Sequence, residues 1–274
     1  MKLNAYISSW KRCSMRRTIN SESLNHGGSI MFKVLISFLV ILLFVIPAYA
    51  INGTKLLEQV DKNLNPESYE AYRKLINVEP DGKRKEYTLF TIKKGTDKIA
   101  AIFLAPASEK GRSILRLGEN MWLYIPNVGK PIRITSLQSV VGGVFNNADI
   151  LNLDYAAEYN VESLKEEGKE YLLSLKAKTR EVAYDRLKMW VDKNKLLPTK
   201  IECLTEKFLL IKTLYFKDHK DFGGGLVRPS VIETDSPLYK GYKSVIIYAK
   251  IKKRDFKDES FTLTFMPNIE TLRR

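Results

Sequence analysis

Cysteine and histidine are nearly absent. The 274-residue chain holds two of each, at Cys13, Cys203, His26 and His219. So few residues exclude a disulfide framework and the clustered Cys/His sites that bind zinc. Other catalytic signatures are missing too. No Gly-x-Ser-x-Gly elbow occurs. Gly223-Gly224-Gly225 lacks the Lys-Ser/Thr that completes a phosphate loop and reads as a turn. Glu166 and Glu167 sit between Lys165 and Lys169, the composition of a solvated hairpin rather than of an acid/base pair. His219 reads as a solvated turn residue. No apolar run reaches the ~20 residues of a membrane span.

What is present is an ordinary globular composition, 45% hydrophobic and 28% charged, with a formal net charge of +14. It fits neither disorder nor a fibrous repeat. Six basic residues and one acidic residue precede residue 51, which leaves +9 beyond it. The cut matters because residues 34–46 are almost wholly apolar and are followed by Pro47 and Ala48-Tyr49-Ala50. A short apolar core, a helix breaker and an Ala-x-Ala end describe a cleaved export signal, here running from Met31 and cut after Ala50. Residues 1–30 are polar and basic and are read as non-structural or as a misplaced start. The remaining chain, 51–274, is expected to be one exported domain. Within it Cys203 is the single thiol, and it reads as a buried small hydrophobe. Export argues against nucleic acid as the partner of the basic charge. A basic face toward anionic lipid, or plain solubility, remains, because the basic residues alternate with apolar ones as on a solvated sheet face.

Within 51–274 the pattern is mainly β with a few helices. Residues 53–63 place Leu56, Leu57 and Val60 on one helical face, with Thr54 as the expected N-cap and Asn52 nearby. Residues 67–79 fit a helix or a strand, and Asp81-Gly82 favours a hairpin. Strand-like segments follow at 85–93, 98–105, 112–117, 121–125, 131–135, 158–164, 170–178, 182–191, 199–204, 208–216, 227–234 and 244–253. A dozen short strands with turns between them suggest one large, strongly curved antiparallel sheet. In the fourth of these, Trp122 and Tyr124 share one side and Met121, Leu123 and Ile125 the other. Both sides are apolar, so this strand is expected to be covered twice. Residues 136–151 break the alternation and read as a long apolar connection with helical turns. Such a connection needs something to cover, whether as a fixed plug or as a moving lid.

The order of Gly111, Leu115, Gly118, Asn120, Met121, Trp122, Leu123, Tyr124 and Pro126, then Arg133 and Ile134, is a long and specific run. Gly142, Phe145 and Asp149 extend it. In this run the chain resembles the LolA-like outer membrane lipoprotein-sorting protein family over residues 66–266. It departs from the family at Val144, where an Asp is usual, and at Asn147, where an aromatic is usual. The resemblance implies a half-open, strongly curved antiparallel β-barrel closed by a helical lid. It also implies a non-enzymatic periplasmic carrier of lipoprotein acyl chains or phospholipid, without cofactor or metal, moving between an inner-membrane transporter and an outer-membrane acceptor. A sensing or interaction module of the same fold is the alternative. On either reading Trp122, Tyr124, Val140, Val141, Val144, Phe145 and Leu151 are the expected cavity or lid residues.

Overall fold

The computed structural model describes residues 51–139 and 141–273. The expected export signal at 31–50 and the segment before it lie outside the described residues, and so does Val140. The first element is helix α1 (Gly53–Leu64). Its cap is Asn52 and not Thr54: the Asn52 side chain accepts the Lys55 N–H (3.2 Å), which puts Thr54 inside the first turn. Leu56, Leu57, Val60 and Leu64 form its buried stripe. Pro66 then ends the helical path.

Six strands follow as a meander: β1 (Ser68–Val78), β2 (Arg84–Lys94), β3 (Lys98–Ala105), β4 (Ser113–Leu117), β5 (Asn120–Tyr124) and β6 (Ile132–Ile134). A long connection carries the short helices α2 (Asn147–Ile150) and α3 (Tyr155–Glu158). Seven more strands complete the sheet: β7 (Tyr159–Glu167), β8 (Glu170–Ala177), β9 (Arg186–Asp192), β10 (Pro198–Leu204), β11 (Leu210–Asp221), β12 (Val227–Asp235) and β13 (Lys243–Lys253). Two 3-10 helices end the described chain, Asp258–Phe261 and Met266–Leu272.

All thirteen strands form one antiparallel sheet, ordered β6-β5-β4-β3-β2-β1-β13-β12-β11-β10-β9-β8-β7. The two meanders therefore meet where β1 pairs with β13, and β6 and β7 are the free edges. Consecutive strands β6 and β7 lie at opposite ends of the sheet, so the chain between them must travel from one edge to the other. The segment that sequence alone leaves between helix and strand, 67–79, is a strand because β2 and β13 flank it on both sides. His219 is exposed but lies in β11 opposite Pro229, not in a turn: the β11–β12 ladder continues to Asp221 before Gly223-Gly224-Gly225 reverses the chain.

The sheet is covered on both faces. The inner, concave face carries Tyr69, Ala71, Leu75, Leu89, Ile114, Met121, Leu175, Met189, Ile201, Leu214 and Ile246, closed by α1 and by Phe145, Ile150 and Leu151 of the connection. A register shift between β1 and β13 past Tyr72 keeps both Tyr248 and Ile251 inward although they are three apart. Over β2–β4 the outer face has its own core of Phe90, Ile92, Ala100, Ile102 and Leu115. The C-terminal 3-10 segment covers it with Phe256, Phe261, Met266 and Ile269, and the Ser113 hydroxyl donates to the Met266 carbonyl at 3.0 Å. Met266 is fully buried in this second layer. Replacing it with Ala is expected to cost about 2–5 kcal/mol in urea unfolding; a change below ~0.5 kcal/mol would show the layer to be a loose appendage.

Candidate functional site

The connection from 141 to 158 crosses the concave face; Phe145, Ala148, Ile150, Leu151 and Leu153 join the inner core, and a set of polar contacts adds to them. The Asn77 amide donates to the Gly142 carbonyl (3.0 Å), and Tyr87 donates to the Val141 carbonyl (3.2 Å). Val144 N donates to Ser244 Oγ (2.9 Å), and Ser244 donates to Asn77 Oδ1 (2.7 Å). Gly143 packs on the same Asn77: a Cβ there would meet Oδ1 at 2.2 Å, and its φ of +80° is unfavourable to any side chain. Asn146 and Asp149 then form a reciprocal capping box around α2.

Three buried ion pairs tie this segment to the sheet. Lys212 of β11 binds Asp149 (2.8 Å), Lys93 of β2 binds Asp154 (2.8 Å), and Arg116 of β4 binds Glu158. In each pair the cation comes from the sheet and the acid from the connection or α3. The Tyr184 hydroxyl donates to Asp149 Oδ1 (2.8 Å), and Arg116 also donates to the Leu151 carbonyl (3.0 Å). The alternation of basic and apolar residues suggests a solvated face, but Arg73, Lys93, Arg116, Lys212 and Arg228 are all buried on the inner face. The signal was available in strand parity: Lys212 shares its side with Leu214 and Phe216, Lys93 with Leu89, and Arg116 with Ile114.

A fourth acid joins the segment to α1. Asp61 accepts the N–H groups of Tyr155 and Ala156, both at 2.8 Å. Burial pushes its carboxyl up to about 7, against the lowering effect of the Ala156 N–H. The neighbouring phenols of Tyr155, Tyr159 and Tyr184 and the Cys203 thiol are raised well above their ordinary values, chiefly by burial. Cys203 is thus a neutral, buried thiol: burial and Asp149 raise it against the opposing effect of Lys212.

Beneath the segment lies a narrow cavity of about 50 Å³. Phe145 and Tyr155 roof it, and Ile201, Leu214, Phe216 and Tyr248 are among its walls. By water-sized measure it admits a few small groups. Of the expected site residues, Phe145 lines the cavity, Val144 and Leu151 are buried beside it, and Val141 packs partly buried against the same core. Trp122 and Tyr124 do not join them. They point to the outer face and pack on the second core beneath the C-terminal segment, while Met121 and Leu123 of the same strand face inward. The double coverage of β5 is real, but its aromatic side is the side away from the cavity. A larger, open groove of about 730 Å³ lies at the far end of α1, between the α1–β1 junction and the glycine turn. Asn65 borders both groove and cavity.

Residues 95–268 match a sequence family whose members are described as uncharacterized proteins. A LolA superfamily protein from Nitrosomonas europaea is 27% identical, with 79% of this chain and all of that one aligned at a TM-score of 0.71. The chain belongs to the LolA-like family. A DUF1329 family protein from Desulfovibrio piger (22% identity, 78% and 97% covered, TM-score 0.68) shares the fold. So does a putative outer membrane lipoprotein-sorting protein domain from Vibrio parahaemolyticus (17% identity, 78% and 97% covered, TM-score 0.65). No curated protein matches the sequence. In this LolA-like chain the fold is the half-barrel, a curved open sheet with few helices. Among the described residues no helix is long and apolar enough to cross a membrane, and no group of three His, Cys, Asp or Glu side chains is placed to hold a metal.

The raised carboxyl of Asp61 has a measurable consequence. Its folded value of about 7 lies above the unfolded value near 3.9, so between these limits the folded state holds more protons. Raising the pH from about 4 to about 7 should therefore lower stability, by up to about 4 kcal/mol if the shift is fully expressed. Urea unfolding across that range is expected to show this fall in the wild type and to lose it in Asp61→Asn. Parallel profiles would place the Asp61 carboxyl in a solvated setting instead.

Proposed function

We propose that this chain is a non-enzymatic carrier. It holds acyl chains of lipoproteins, or other lipids, on the concave face beneath the 141–158 segment, which serves as the lid. The observation that carries this reading is the cavity roofed by a segment that joins its buried apolar side chains to the inner core and adds a set of exchangeable polar attachments to the sheet. Hydrogen bonds and ion pairs can be exchanged for water as the segment lifts, leaving an apolar face for a ligand. The export signal read in residues 31–50 supports a place of work in the periplasm, between an inner-membrane transporter and an outer-membrane acceptor.

Magnitudes decide how such a carrier works. A cavity of about 50 Å³ cannot take a long acyl chain with the lid as it stands. Burying sixteen CH₂ groups stabilises the complex by on the order of 12 kcal/mol. Lifting the lid returns Phe145, Ile150 and Leu151 toward water at about 1.5–3 kcal/mol each, while its ion pairs, hydrated on both sides, change little. Displacing the lid therefore uses a large part of the transfer free energy of one chain. What is left is modest binding, which lets cargo leave again.

Two experiments test this reading. Native mass spectrometry of the protein purified without detergent should show a bound lipid or acylated peptide of defined mass, or uptake of an added one. A bare mass with no uptake would sink the carrier and favour the sensing or interaction module. Phe145→Asp should abolish uptake with the fold retained, because it sets a charge in the roof of the cavity. Trp122→Ala, on the other face, should leave uptake unchanged. The reverse pattern would move the binding site to the outer face.

A further inference from the structure

The inner face holds five buried basic side chains, and the lid neutralises three of them. Arg73 and Arg228 are left over. They are 3% and 2% exposed, and neither has a carboxylate within ion-pair distance among the described residues. Their partners are neutral. Arg73 donates to Thr91 Oγ1 through Nε (3.1 Å) and Nη2 (2.7 Å). Arg228 donates to the Leu64 carbonyl (2.5 Å), to Asn65 Oδ1 (2.6 Å) and to the Pro229 carbonyl (3.2 Å). Both guanidinium groups converge on Tyr248, at 5.6 and 4.3 Å from its ring centre. A desolvated cation without a counter-charge is costly, and two around one point are more so. Burial alone would raise the Tyr248 phenol. The two arginines overcome it and hold the phenol below its ordinary value, while the neighbouring Tyr69 is raised by its own burial and by Tyr248.

The corner is also reachable. Arg228 and Tyr248 both line the cavity, and Asn65, which Arg228 binds, forms part of the wall of the open groove. Lys62, Lys195, Lys253 and Arg254 border that groove, against the carboxylates of Glu67 and Asp255. An excess of cations along the approach raises the local concentration of an anion.

We propose that Arg228, with Arg73 across Tyr248, binds the carboxylate of a long-chain fatty acid whose hydrocarbon tail occupies the cavity under the lid. A carboxylate is the planar, singly charged group that a guanidinium fork receives through two parallel hydrogen bonds. The acyl chains of a lipoprotein are ester- or amide-linked and bring no charge to this point, so the site separates the free acid from them. The inference rests on the carrier reading for the tail and goes beyond it for the head group.

The test compares palmitate with methyl palmitate in titrations of the full chain, which share a tail and differ only in the charge of the head. The wild type should bind palmitate about tenfold or more tightly, the scale of a hydrogen bond to a charged group. In Arg228→Gln the ratio of the two affinities should fall to near one. Arg73→Gln, whose guanidinium contacts only Thr91 and Tyr248, should lower the ratio as well, and it serves if Arg228→Gln does not fold. Equal affinities in the wild type would overturn the head-group assignment while leaving the carrier standing. A preference that survives in the folded variants would overturn it too. If neither compound binds, the carrier reading falls with it.

Discussion

The constraint from which the rest follows is the edge-to-edge crossing. In a sheet ordered with β6 and β7 at its two margins, one stretch of chain must span the whole concave face. A crossing segment carries backbone N–H and carbonyl groups into a region that the sheet has made apolar, and each needs a partner. The sheet supplies them. Asn77, Tyr87 and Ser244 meet the first part of the crossing, and Arg116 meets the Leu151 carbonyl. Lys212, Lys93 and Arg116 meet its acids in order along the chain. Buried ion pairs add little net stability over apolar packing, yet an acid shifted out of register would be buried alone. The pairs thus fix where the segment sits more than how strongly it is held.

This arrangement links packing to function. The inner core is continuous from α1 to β13, and the crossing segment contributes Phe145, Ile150 and Leu151 to it. With the segment in place the interior is nearly filled, leaving a cavity of about 50 Å³. The second, outer layer of Phe256, Phe261, Met266 and Ile269 holds β2–β4 from behind. The half of the sheet nearest the β6 edge is therefore braced independently of whether the cavity is open.

Strand alternation, the Asp81-Gly82 hairpin, the amphipathic helix at 53–63 and the non-alternating connection at 136–151 were all legible in the sequence. They rest on local rules: side chains alternate across a pleat, turns need particular dihedrals, and a helix repeats every 3.6 residues. The run from Gly111 to Ile134 placed the family. Asp149 was legible as a motif position, although not what it binds.

Tertiary structure decided the rest, because the relevant partners are far apart in the chain. Alternation says that Trp122 and Tyr124 share a side, but not which side is concave; that depends on strands more than a hundred residues away. Residues 67–79 became a strand through neighbours at both flanks, one of them β13. Basic residues between apolar ones look the same on a wet face and on a buried one until the acids of the lid come down on them. By itself the sequence determined the elements, the single chain of strands and the apolar crossing. The curved sheet and the segment across it then decided which charges are buried, which are paired, and which two arginines have no counter-charge among the described residues.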